Sequence, residues 1–238
     1  MSGYIFLFCL CLLTVTAVCI SLYPPPKPEP IRIEKTYVIN LESSTDRLAK
    51  FKSQIDTFHI PFERWAAVDG RQIPKKQFRE MGIAHWGLND FSKKRQGELG
   101  CLFSHILLWK HIAKQKYASN AGVLIFEDDI LLAPNFNQRL DRILEKIPGD
   151  WDMIVIGYGH EKYFPEPMGS IRKLKRFTGC YAYIVNPRSL DKIMPYFSLP
   201  GEAVDTILED LTSRHLITIY GPYDRIVETG NEKSTITS

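Results

Sequence analysis

The chain has 238 residues, enough for one ordinary globular domain or two small ones. Its composition, 45% hydrophobic and 24% charged, is that of a folded protein. The net charge of +3, with no cluster of basic residues interleaved with exposed aromatics, argues against a nucleic-acid partner.

The first element is Tyr4 to Leu22, a run of about 19 uncharged and mostly apolar residues. That is close to the roughly 20 residues that span a bilayer as a helix. Tyr23 to Pro30 reads Tyr-Pro-Pro-Pro-Lys-Pro-Glu-Pro and predicts a stiff, extended stalk. The organisation is therefore a single-pass membrane anchor over 4–22, a Pro-rich stalk over 23–32, a globular domain over 33–230 and a loose tail over 231–238. A cleaved signal peptide is the alternative, although no basic residue precedes the run and no clear small-x-small site ends it. Lys27, Arg32 and Lys35 follow the run and none precedes it, so a literal positive-inside count places the domain in the cytosol. Type II anchors of secretory-pathway enzymes place it in the lumen, and the lumen is the expectation taken here. The sequence contains no Asn-x-Ser/Thr sequon that could report lumenal exposure.

Cys9, Cys11 and Cys19 lie in the apolar run. Cys101 and Cys180 belong to the globular part, each among apolar neighbours, and read as buried inert thiols. A disulfide between them is open in an oxidising lumen. No zinc-type spacing of cysteine and histidine is present.

From Thr36 onward strand and helix patterns alternate. Tyr37 to Leu41 predicts a strand, and Ser43 to Phe58 a helix whose apolar face is Leu48, Phe51, Ile55 and Phe58. Ile60 to Val68 predicts a strand and Asp69-Gly70 a turn. Pro74 to Met81 predicts a short helix. Gly97 to Lys116 carries the strongest helical pattern, with an apolar stripe wide enough to require burial. Gly97, Gly100 and Ser104 form a small-residue face that lets a backbone or a ligand approach closely. Gly122 to Phe126 predicts a buried strand, Pro134 to Ile147 a helix and Trp151 to Ile156 a strand. Cys180 to Val185 predicts another strand, Pro187 a helix start, Val204 to Arg214 a helix and Leu216 to Tyr220 a last strand. Strands separated by helices predict an α/β sandwich with a mostly parallel sheet.

The feature that carries chemistry is Val123-Leu-Ile-Phe-Glu-Asp-Asp129. An unbroken apolar run suits a strand buried on both faces. The carboxylates at its end sit where open α/β sheets bind ligands. Acidic residues also end strands simply because loops are solvated, but three in a row repel one another unless a cation or basic side chains lie near. Strand alternation points Glu127 and Asp129 one way and Asp128 the other. A hard cation, manganese or magnesium, takes carboxylate and phosphate oxygens and neutralises charge on a departing nucleoside diphosphate. Asp129 is the first choice as direct ligand, and Glu127 binds through water or contacts the ribose.

Other candidates are less specific. Lys93, Lys94 and Arg95 read either as an anion site or as a solvated basic loop, with Glu98 opposing the first. Ser104 and His105 either face a pocket or are satisfied core residues. Asp205 opens a helix and is the candidate general base, or else interacts with the helix dipole. Gly-x-Ser-x-Gly, Walker and Gly-x-Gly-x-x-Gly motifs are absent from the sequence, which lowers hydrolase, ATPase and dehydrogenase readings.

In chain order stand Tyr37-Val-Ile-Asn-Leu41 with Asp46-Arg47, Arg64 to Gly70 (RWAAVDG), Gly97 to Trp109 (GELGCLFSHILLW), the triplet Glu127-Asp128-Asp129, Thr178 to Asn186, and Ala203-Val204-Asp205. Together these segments resemble glycosyltransferase family 25, which includes lipooligosaccharide β-galactosyltransferases and procollagen galactosyltransferases. The C-terminal end resembles the family poorly. The resemblance implies a GT-A fold, a UDP-sugar donor (usually UDP-galactose), manganese, and inversion at the anomeric carbon. By motif position it implies Asn40 and Arg47 near the nucleotide and Asp69 near the ribose or uracil. It also places Ser104 and His105 in the donor pocket. The acceptor is open between a glycan, a lipid-linked sugar and collagen-like hydroxylysine. Two rivals stand beside this reading: a family-shaped binding or adhesion protein that transfers nothing, and a metal-dependent phosphohydrolase using the same carboxylates.

Overall fold

The computed structural model describes residues 29–83, 88–159, 161–163, 169–198 and 201–230. The expected anchor, most of the stalk and the tail lie outside the described residues. Among the described residues no helix is long and apolar enough to cross a membrane.

In chain order the elements are β1 (Arg32–Asn40), α1 (Thr45–Asp56), β2 (Glu63–Ala66), α2 (Lys75–Glu80), α3 (Lys93–Ile112), β3 (Ala121–Glu127), β4 (Ile130–Leu132) and α4 (Phe136–Leu144). They continue with β5 (Met153–Gly157), β6 (Glu161–Tyr163), β7 (Ile171–Phe177), β8 (Ala182–Val185), α5 (Leu190–Ile193), α6 (Val204–Ser213), β9 (Ile219–Pro222) and β10 (Val227–Thr229). Eight strands form one sheet in the order β2-β1-β3-β8-β5-β9-β7-β6, and β10 pairs with β4 in a small second sheet.

The expected mostly parallel sheet is corrected to a mixed one. β2, β1 and β3 are mutually parallel, as is β9 with β5. β8 runs antiparallel between β3 and β5. The reason is local. After β5 the chain makes the β6–β7 excursion and returns to the end of β5, where the Gly159 amide donates to the Thr178 carbonyl at 2.6 Å. It re-enters the sheet beside that end, with Ala182 opposite Phe126 and Gly157, so β8 can only run back.

Alternation along the central strands builds two cores. Val123 and Ile125 face one side with Met153, Val155, Tyr183 and Val185, against α3 and α6. Leu124 and Phe126 face the other with Ile154, Ile156, Ala182 and Ile184, against α1 and α4. The same parity decides the first acid: Glu127 continues the row of Val123 and Ile125, so it turns toward α3. Asn40 shares the row of Val38, toward α1. Ile39 lies opposite Glu127 in the β1–β3 ladder, which brings the ends of both strands together.

Helix α3 begins four residues earlier than its apolar pattern, at Lys93, because Ser92 caps it by accepting from the Arg95 amide at 3.3 Å. Lys93, Lys94 and Arg95 are therefore its first turn rather than a preceding loop. Arg95 pairs with Glu98 at 3.0 Å and also donates to the Gly201 carbonyl, so it is a structural tie.

Candidate functional site

The ends of β1 and β3, the segment after β2 and the small-residue face of α3 enclose an open pocket. Arg47, Val68, Asp69, Gly70, Cys101 and Ser104 line it together with Glu127, Asp128 and Asp129. Its wall is a backbone-to-backbone contact. A Cβ on Gly100 would lie 2.6 Å from both the Gly70 amide nitrogen and the Val68 carbonyl oxygen. The close approach allowed by Gly100 and Ser104 is thus used by the 68–70 segment, while Gly97 lines the pocket. Ser104 accepts from the Val68 amide at 2.8 Å and donates to the Gly100 carbonyl at 2.7 Å, fixing that segment. Asp69 then caps the 3-10 turn Gly70–Gln72, accepting from Arg71 and Gln72. Burial acts to raise the Asp69 carboxyl, but the Arg71 bonds prevail and hold it below the usual range.

The acidic triplet does not follow strand alternation to its end, because β3 stops at Glu127 and the next two residues turn. Glu127 faces α3 and accepts at Oε1 from Cys101 Sγ at 3.7 Å and from His105 Nε2 at 3.4 Å. Asp128 faces α1, where Asn40 Nδ2 donates to it at 2.7 Å. Asp129, expected beside Glu127, instead joins Asp128 on one guanidinium: Arg47 Nη1 lies 3.1 Å from Asp128 and 3.3 Å from Asp129.

Asn40 sits under the pocket and does not line it. Its amide is consumed by Ser44 and Asp128, and its oxygen accepts from Arg64 Nε at 2.8 Å. It positions Asp128. His105 is likewise a second layer, fully buried behind Glu127. Trp109 Nε1 can only donate, and it donates to the Tyr183 hydroxyl at 2.8 Å. Tyr183 in turn donates to His105 Nδ1 at 2.8 Å, which leaves the Nε2 proton facing Glu127. The chain Trp109–Tyr183–His105–Glu127 thus fixes one carboxylate oxygen. Sequence reasoning missed Trp109 and Tyr183; the signal was a phenol and an indole, each with a polar tip, inside apolar segments that must find a partner. Tyr183→Phe leaves the Trp109 donor and His105 Nδ1 unmatched, and should cost about 2 kcal/mol in urea unfolding. An unchanged unfolding midpoint would contradict the relay.

Asp205 is not a pocket-lining residue. Its oxygens accept from the Gly179 amide at 2.6 Å and the Thr206 amide at 2.9 Å. Gly179 has φ +73°, so Asp205 secures a left-handed turn just before β8.

Electrostatics single out Asp129. Burial first, then the charge of Glu127, push its carboxyl up to about 6, with Arg47 opposing and Asp128 adding to the rise. Burial also raises Asp128 against the bonds from Asn40 and Arg47. Among the described residues, Asp129 Oδ1 is the one buried side-chain oxygen without a hydrogen-bond partner. Such an oxygen beside two further carboxylates fits a hard divalent cation. Without a cation, the folded protein retains a proton on Asp129 that the unfolded chain has lost between about pH 4 and pH 6. Stability therefore falls as pH rises through that window, on the order of 2–3 kcal/mol. Asp129→Asn should remove that fall, as read from urea midpoints at pH 4 and pH 7. An identical pH slope in the variant would contradict it.

Residues 33–178 match the family model described as glycosyltransferase family 25 (LPS biosynthesis protein). The chain belongs to glycosyltransferase family 25. It is 34% identical over 133 residues to a glycosyltransferase 25 family member of Anopheles gambiae, covering 53% of this chain and 22% of that protein. It is 27% identical over 205 residues to procollagen galactosyltransferase 1-A of Xenopus laevis, covering 80% of this chain and 33% of that protein. It is also 30% identical over 134 residues to the inactive glycosyltransferase 25 family member 3 of Homo sapiens, covering 53% of this chain and 22% of that protein. The family 25 chain described here thus spans between 22% and 33% of the length of these relatives. The matched stretch contains the whole acidic triplet, Arg47 and the small-residue face of α3, while Tyr183 and Asp205 lie beyond it.

Proposed function

We propose that this family 25 chain is a metal-dependent, inverting glycosyltransferase of the GT-A type. It transfers a hexose, galactose by family likeness, from a UDP-sugar to a hydroxyl of a glycan, a lipid-linked sugar or a collagen-like protein. The observation that carries this reading is the unpartnered Asp129 Oδ1, buried in a pocket shared with Glu127 and Asp128 at the ends of two parallel strands. The galactosyltransferase among the relatives supports the sugar.

Asp129 and Glu127 would hold manganese, or magnesium, whose chemistry is to neutralise charge on the departing diphosphate. The chain's own residues do the rest. Arg47 spans Asp128 and Asp129 and keeps them together. Glu127, fixed by Cys101 and His105, faces the donor pocket. Asp69, held ionised by Arg71, offers a charged acceptor at its rim. Holding donor and acceptor in line supplies much of the rate in such transfers. A single-pass anchor in the secretory pathway remains part of the proposal, on the strength of the apolar run Tyr4 to Leu22.

The full chain in detergent should release UDP from UDP-galactose in the presence of manganese, and EDTA should abolish this. Asp205 is proposed as the base that takes the acceptor hydroxyl's proton, although its oxygens are engaged by backbone amides. Asp205→Asn can keep only part of that pairing and should cost about 1 kcal/mol of stability. Donor binding by calorimetry should persist while transfer is lost. Full transfer by the variant would remove Asp205 from the chemistry.

A second reading, a catalytically silent binding protein, is favoured by one feature: Arg47 already pairs with Asp129, which a cation would use, as well as with Asp128. An inactive relative exists in the family. Failure to bind UDP with any divalent cation would select that reading.

A further inference from the structure

We infer that Cys101, His105 and Glu127 form a second, thiophilic cation site, suited to zinc, which shares Glu127 with the hard-cation position at Asp129. Cys101 Sγ, His105 Nε2 and a Glu127 carboxylate oxygen all lie within 4.8 Å of one another. Sulfur to oxygen is 3.7 Å and nitrogen to oxygen 3.4 Å. A tetrahedral zinc ion with ordinary Zn–S, Zn–N and Zn–O bonds separates such ligand pairs by about 3.3–3.5 Å. The sulfur–oxygen and nitrogen–oxygen pairs need to close by a few tenths of an ångström at most, and the sulfur–nitrogen pair, within 4.8 Å, closes by a side-chain adjustment of up to about 1.3 Å.

The scaffold is rigid. Cys101 and His105 are four residues apart on α3 and so share one helix face. Glu127 ends a strand that is buried along its length. His105 already has the outer partner that a ligating imidazole uses: with Nε2 on the ion, the ring proton sits on Nδ1 and points to the Tyr183 oxygen at 2.8 Å. The Tyr183 oxygen then accepts from both Trp109 Nε1 and His105 Nδ1, and its own proton turns away from the ring. Cys101 and Glu127 both line the pocket, which leaves the fourth position open to it. The entering ion displaces the Cys101 thiol proton, which leaves through the pocket.

Ligand softness separates the two sites. A thiolate and an imidazole select zinc, cobalt or cadmium, whereas manganese and magnesium prefer carboxylate and phosphate oxygens. Zinc at this site takes up a Glu127 oxygen, so it should inhibit transfer. That consequence rests on the function proposed above, and the site itself does not.

The test uses the full chain, reduced, in detergent, titrated with cobalt(II). A thiolate-to-cobalt charge-transfer band should develop at one equivalent. Zinc should erase it and a hundredfold excess of manganese should leave it. Cys101→Ser should abolish the band. The Cys9/Cys11/Cys19→Ser triple variant and Cys180→Ser should both keep it. X-ray absorption on the zinc-loaded wild-type chain, which depends on no variant, should show one sulfur with nitrogen and oxygen ligands. No band, a band that persists in Cys101→Ser, or a zinc shell with no sulfur or two sulfurs would each overturn the proposal. None of these readouts requires transfer activity, so failure here is distinguishable from failure of the proposed function.

Discussion

Asp129→Ala should lower manganese-dependent turnover of UDP-galactose by at least about 100-fold, because loss of even an outer partner of a metal ligand costs about 10–100-fold. The same variant should not lose stability at pH 7. Its carboxylate is buried beside Glu127 and Asp128 and is pushed up to about 6, so the folded chain gains by losing that charge. Activity and stability then move in opposite directions, as they do where a site holds a costly group for function. A variant that loses activity together with its fold would place Asp129 among the structural residues. A variant with full activity would remove it from the cation site.

Gly70→Ala should be strongly destabilising. The added Cβ would lie 1.9 Å from the Gln96 carbonyl oxygen and 2.8 Å from the Gly100 amide nitrogen. Both neighbours are backbone atoms in α3, so no rotamer change can relieve the overlap. The loop and the helix must separate, and Val68 loses its bond to Ser104. A cost of about 3 kcal/mol or more is expected from overpacking on this scale. Gly149→Ala is the control, since nothing lies within 4 Å of a Cβ there. Urea midpoints should separate the two variants clearly, and equal midpoints would contradict the close-packed wall. Because Gly70 lines the pocket, donor binding should fall with stability in the first variant only.

How much of this could be read beforehand follows from which signals are local. The apolar run before Glu127 marked a buried strand, and period-two alternation alone sends Glu127 toward α3. The Gly97, Gly100 and Ser104 spacing marked a surface of close approach, but spacing cannot say whether backbone or ligand fills it, and here backbone fills most of it. Asp129 was singled out as a metal ligand, but its direction was misread, because alternation ends where β3 ends and only the turn brings it to Arg47. β8 carries the same apolar signature as a parallel strand, so its reversed direction is invisible without knowing that the β6–β7 excursion returns to the end of β5. The Cys101-x-x-x-His105 pair fits no familiar zinc spacing, because its third member arrives from a strand 22 residues after His105. Asp205 looked like a candidate base because acids in a first helical turn face solvent or a site. The Gly179 amide that it accepts from is contributed by a turn 26 residues upstream.

The central claim is that the acidic end of β3 holds a cation against a sugar nucleotide. The most direct measurement is a crystal structure of the protein with UDP and manganese. It should place the ion within bonding distance of Asp129 Oδ1, with the diphosphate oxygens completing its shell. An ion and nucleotide bound elsewhere, with Asp129 Oδ1 still unpartnered, would contradict the account.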